Sequence, residues 1–263
     1  MSHLHIPDGI LPIWLVSAGW LICIVIVTVA VRGVPPEDLR RRIPLVGAVA
    51  ALMLVAMSSE IVPIAYHINL TVVAGILLGP WLSVPTALVV VTVLAMIGHG
   101  GVTVIGLNTI VISSEMVLGW ALFSALVRTL GRPRVRIAAG VATVLTLAVT
   151  TTMLVVIVAL GGPIAASRES GAFDPAELRF ENPFAEGVIG NIAFEEPAAH
   201  EEEPLQIARF ALLVYGLGSI GWIAEALVTA GIVGFVSRVR PSLVLDGATQ
   251  QERVLPGDEG VHG

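Results

Sequence analysis

A chain of 263 residues with 56% hydrophobic and 13% charged residues, at a mean hydropathy of +0.91, is excluded as a soluble globular domain, where about a quarter of residues are charged. It reads as an integral helical membrane protein. All 14 basic residues are arginine, which excludes a Walker A loop with its required lysine and Schiff-base chemistry on lysine.

The chain opens MSHLHIPDGILP, with His3 and His5 ahead of an apolar run from Ile10 to Val31. The opening carries no cationic segment and the run is long enough to span, so it predicts a retained span and not a cleaved signal peptide. Further spans are predicted at Ile43–Glu60, Ile105–Val127, Val135–Leu160 and Ile207–Val236. The stretch from Asn69 to Gly98 is either one overlong helix or two pieces broken at Gly79-Pro80, because proline removes a helical hydrogen bond and clashes with the preceding turn.

Arginine clusters at Arg32 and Arg40–Arg42, at Arg128–Arg136 and at Arg238–Arg240 fall on one side only if that stretch is two pieces. The positive-inside rule therefore favours two. The expected fold is all-α: a polytopic transmembrane helical bundle of about seven spans, N-terminus outside and C-terminus cytoplasmic. The third piece has about ten to thirteen residues where about 20 are usual, so it is expected to be tilted or half-inserted. Residues 1–240 form one membrane domain in this reading. It includes an acidic insert at about 163–206, with ten Asp/Glu against two Arg, and a disordered cytoplasmic tail follows at 241–263.

This topology places the N-terminal segment, the turn around His67 and the GHGG turn on the outer side with the insert, and four of the six histidines, His3, His5, His67 and His99, sit in the first three of these. The insert is either a solvated loop or a negative field that concentrates cations near the outer mouth. The net charge of −6 argues against a nucleic-acid partner. Cys23, alone in the chain, leaves neither a disulfide nor a cysteine metal cluster.

A histidine close to a free amino terminus can chelate a divalent ion through the amine, a backbone amide and the imidazole. A second imidazole completes a planar set of four nitrogens, which suits Ni(II) or Cu(II). His67, at the outer end of a span, is a candidate fourth donor. The plainer readings are an unstructured histidine pair at the terminus, a helix-end His67 and a turn-forming His99.

HIPDGILP (His5 to Pro12), His67, GILLGPW (Gly75 to Trp81), GHGGVTVIGLN (Gly98 to Asn108) and GWIAEALVTAGIVGFV (Gly221 to Val236) follow one another in order. Together they resemble the CbiM/NikM family, the substrate-binding components of energy-coupling-factor transporters for cobalt and nickel. The resemblance implies seven helices with the N-terminus outside and an ion held near the outer surface by four nitrogens. The imidazoles would be those of His5 and His67, with His99 and Asn108 orienting the ligands. It also implies partners: a transmembrane coupling subunit, cytoplasmic ATPases and a small accessory membrane subunit. The chain itself would be no enzyme and hold no catalytic cofactor. Its Ni(II) or Co(II) would be substrate, bound in the cell inner membrane or plasma membrane in contact with lipid.

Family members begin Met-His, whereas this chain reads Met-Ser-His-Leu-His. Initiation at Leu4 would supply the family's amine directly before His5. Removal of Met1 would make Ser2-His3 a chelate, and retention of Met1 would let Met-Ser-His form a square plane alone. His3 is therefore the alternative ligand.

Glu115 and Glu225 fall within predicted spans, where a carboxylate is costly and normally faces the interior with a partner. They are expected to share a proton, or one pairs with Ser113 or Ser114. The resemblance gives Glu225 a structural or coupling role. Two competing classes use these groups: a proton-coupled secondary transporter working through Glu115 and Glu225, and an intramembrane metalloenzyme built on His5, His67, His99, Glu60 and Glu115. The second lacks the HExxH pair of a zinc protease.

Overall fold

The computed structural model describes residues 11–58, 60–61, 66–161 and 207–249. Seven α-helices form among them: α1 (Ile13–Arg32), α2 (Pro36–Ser58), α3 (Thr71–Met96), α4 (Ile105–Leu130), α5 (Val135–Gly161), α6 (Ile207–Val239) and α7 (Pro241–Thr249). Extended backbone among the described residues is limited to β1 (Glu60–Ile61) and β2 (Tyr66–His67), paired antiparallel with Glu60 opposite His67. Helices α1 to α6 are long and apolar enough to cross a membrane.

Helix α1 buries mostly small residues and turns large apolar ones outward, as expected where lipid is the solvent. In α1, Leu15, Gly19, Cys23 and Ala30 are buried, while Leu21, Ile22, Ile24 and Val25 are exposed. Gly19 lies against Leu107, and Gly106 lies against the Trp20 backbone. These two contacts bring α1 and α4 to close approach at one crossing point. A methyl group on Gly106 would stand 2.8 Å from Trp20 N and Cα. Gly106→Ala is therefore expected to cost about 1–3 kcal/mol through overpacking, read as a lower unfolding temperature in detergent; an unchanged temperature would contradict this close approach.

The bundle centres on α3 and α4, with α1 and α2 flanking one side and α5 and α6 the other. Gly131, at φ 81°, turns the chain from α4 into α5. Helices α5 and α6 run antiparallel: Arg136 lies over Gly234, Gly140 faces Ala226 and Ala230, and the Thr152 and Tyr215 hydroxyls are hydrogen-bonded. This up-and-down path gathers the arginines at 32, 40–42, 128–136 and 238–240 at one end of the bundle. The β1–β2 pair, the 97–104 loop and the start of α1 occupy the other.

The third predicted piece is the first part of one broken helix, so six helices and not seven among the described residues are long and apolar enough to span. Gly79 (φ 75°, ψ 176°) divides α3 in the manner Gly79-Pro80 predicts, and the Ser83 hydroxyl donates to the Gly79 carbonyl at 2.6 Å. The first piece, Thr71–Leu78, is about 12 Å long at the helical rise, far short of the about 30 Å hydrocarbon core. It crosses α4 closely, with Gly75 against the Met116 backbone and Val72 against Gly119.

Two boundaries differ from expectation. Helix α2 begins at Pro36, not Ile43, because proline at the first helical position and acidic residues in the first turn suit a helix start outside the apolar zone. The tail predicted to be disordered from residue 241 starts as α7, a correction for Pro241–Thr249. Pro241 again opens the helix, and Val244 packs with Val72, Ile76, Phe123 and Val127, apolar burial that a polar composition obscured. The remainder of that tail and the acidic insert lie outside the described residues.

Candidate metal centre

His67 is carried by β2, where its backbone pairs opposite Glu60 directly beyond the end of α2. The chain then turns inward. Asn69 is 1% exposed, and Leu70 is buried in the left-handed region at φ 56°, a conformation that non-glycine residues adopt rarely and hold only where surroundings impose it. Leu70 places no side-chain cap on α3. The backbone from His67 to Thr71 is thus bent into one particular path.

The 97–104 loop forms at the same end. The His99 N–H donates to the Leu94 carbonyl at 2.8 Å, between Gly98 at φ 84° and Gly100 at φ 106°. GHGG is needed here because two neighbouring positions take conformations that side chains resist. His99 is half-buried. Trp20 Nε1 donates to the Thr103 carbonyl at 2.8 Å, tying the loop to α1, and Asn108 is buried one turn into α4. Leu11 and Leu15 pack with Val104 and Leu107, so the chain emerging from residues 1–10 joins the bundle beside this loop.

The fold therefore brings the His67 backbone, the His99 loop, Asn108 and the start of the described N-terminus to one end. His3, Leu4 and His5 lie outside the described residues, as does the side chain of His67. Among the described residues no group of three or more His, Cys, Asp or Glu stands together.

Glu115 and Glu225 sit apart from these groups, both 0% exposed. Glu225 lies close enough to act electrostatically on Glu115, and Thr71 at the start of α3 is likewise fully buried. Ser113 instead donates to the Ile110 carbonyl at 3.2 Å. Sequence reasoning passed over Asn69 and Thr71; their signal was two polar residues alternating with Ile68 and Leu70 after His67, at the edge of an apolar stretch.

A family model described as the cobalt uptake substrate-specific transmembrane region matches residues 5–243. A protein of Haloquadratum walsbyi named for metal transport is 30% identical over 246 residues, covering 92% of this chain and 93% of that protein. Two crystal structures share the fold. One, of a truncated transition metal transporter, has a TM-score of 0.65 at 15% identity, covering 90% of this chain and 99% of that one. The other, of a transition metal transporter, has a TM-score of 0.63 at 14% identity, covering 94% and 99%. A match that begins at His5 and runs through every motif of the bundle settles the family: this chain belongs to the CbiM family of cobalt uptake substrate-specific transmembrane regions.

Proposed function

We propose that the chain is the substrate-specificity subunit of an ATP-driven cobalt or nickel importer. It captures one divalent ion at the outer face through nitrogens of the N-terminal segment and of His67. Family membership across residues 5–243 carries this reading. The convergence of the His67 backbone, the His99 loop and the emerging N-terminus at the end opposite the arginines supports it. By the positive-inside rule the arginine end is cytoplasmic, which puts the capture site outside and the protein in the inner or plasma membrane as a multi-pass protein.

The ion is cargo, and the chain performs no chemistry on it. His5 and His67 supply imidazoles. The amine comes from position 4 when Leu4 initiates the chain, and His3 takes over if the extension is retained. His99 and Asn108 flank the ligands and orient them, as outer groups commonly do at metal sites. Without a lysine the chain has no Walker A loop of its own, so energy enters through cytoplasmic ATPases and a transmembrane coupling subunit, with a small accessory membrane subunit beside them. Release requires a second state with lower affinity, reached on contact with the coupling subunit.

The buried Glu115–Glu225 pair favours one competing reading, a proton-coupled secondary transporter. Uptake of radiolabelled Co(II) into cells separates the two. Import that needs co-expressed ATPase and coupling subunits, and survives collapse of the proton gradient while ATP is held constant, fits the proposal. Import by the chain alone that stops with the gradient would replace it.

A further inference from the structure

A groove of about 350 Å³ opens between α1 and the second piece of α3. Helix α1 lines it with Val25, Ile26, Val29 and Ala30, and α3 with Trp81 and Val84. Val25 is 60%, Val29 55% and Trp81 49% exposed, so the groove faces out of the bundle. A break in a helix ordinarily leaves bare backbone polar groups, which lipid does not tolerate. Here Pro80, which also lines the groove, has no N–H, and the Gly79 carbonyl accepts from the Ser83 hydroxyl at 2.6 Å. The wall stays apolar across the break.

The groove ends at a charge. Arg32 stands three residues past Val29, on the same helix face, and is exposed. Gly33 follows it and lies against the Trp81 ring, where a methyl group would stand 2.6 Å from Cε3. The missing side chain at Gly33 thus brings the indole up beside the arginine.

Length and charge together choose the occupant. From Val25 to Arg32 the groove runs about 10 Å at the helical rise, which fits within one half of the about 30 Å hydrocarbon core. A partner helix that crosses the membrane needs a surface along the whole core. An acyl chain that ends in a phosphate needs one leaflet and a cation at its edge. Basic pockets between helices on the cytoplasmic side hold anionic headgroups in this way.

We propose that this groove binds one anionic glycerophospholipid of the arginine-side leaflet. An acyl chain lies along α1 from Val25 to Trp81, and its phosphate pairs with the Arg32 guanidinium. The site stands at the end opposite the 97–104 loop, so its test does not depend on how the ion is held.

The test is native mass spectrometry of the full chain released from nanodiscs of equal phosphatidylglycerol and phosphatidylcholine. The parent retains one phosphatidylglycerol, preferred over phosphatidylcholine by about fivefold, the scale of one arginine against a charged headgroup. Arg32→Gln loses that preference, whereas Arg132→Gln, exposed at the same end but outside the groove, keeps it. Val29→Trp fills the groove and retains neither lipid, and Leu227→Trp, on an exposed face of α6, retains lipid as the parent does. No lipid on the parent, or a preference that survives Arg32→Gln, would overturn the proposal. Equal loss in Arg132→Gln would also overturn it, as general attraction of anionic lipid to the arginine end. So would lipid retained by Val29→Trp; if that variant instead releases a co-expressed coupling subunit, the groove is a protein interface. If Val29→Trp fails to fold, the two arginine variants decide.

Discussion

His67→Ala raises the dissociation constant for Ni(II) and Co(II) by about 100-fold or more, because loss of a donor must exceed the 10- to 100-fold cost of losing a group that merely orients one. The same variant leaves metal-free stability close to that of the parent. His67 lies on a two-residue strand outside the helices that form the bundle. Affinity and stability therefore part company. Calorimetry and thermal unfolding on one preparation check both halves. A variant that binds normally, or loses binding only because it unfolds, would contradict a ligand role for His67.

Gly75→Ala has the largest expected effect on the fold. A methyl group at Gly75 would overlap the Met116 carbonyl oxygen, which belongs to the backbone of the central helix and cannot rotate away. The half-helix Thr71–Leu78 would have to lift off α4, disturbing the path to His67. A cost at or above about 3 kcal/mol follows from overpacking of this kind, seen as loss of monodisperse protein on extraction or a steep fall in unfolding temperature. Gly47→Ala is the control. Nothing lies within 4 Å of a methyl group there, and alanine favours the helix by about 1 kcal/mol. If both variants behave alike, the close approach of α3 to α4 is wrong.

The sequence announces its helices through long apolar runs, and Gly79-Pro80 marks the break in α3 because both residues act on the local backbone. Boundaries such as Pro36 and Pro241 were legible only in part. A helix start that leaves the apolar zone keeps polar residues, and hydropathy alone assigns those to loops. That Glu115 and Glu225 face the interior was an expectation from the expense of carboxylates within a span, and both are fully buried. The burial of Thr71 could not be anticipated, because it depends on where a half-helix crosses α4. The order of motifs from His5 to Val236 carried the family, since each depends on residue identity more than on packing. His67 and the 97–104 loop reach the same end through an up-and-down topology that the arginine clusters already implied.

The central claim is that one divalent ion is held jointly by the N-terminal segment and His67. Native mass spectrometry of the intact purified protein, loaded with Ni(II) or Co(II), tests it most directly, because one spectrum gives both the first residue and the number of ions. The account predicts one ion per chain, lost in His5→Ala and in His67→Ala. An ion that survives both substitutions, or no bound ion in any form, would contradict it.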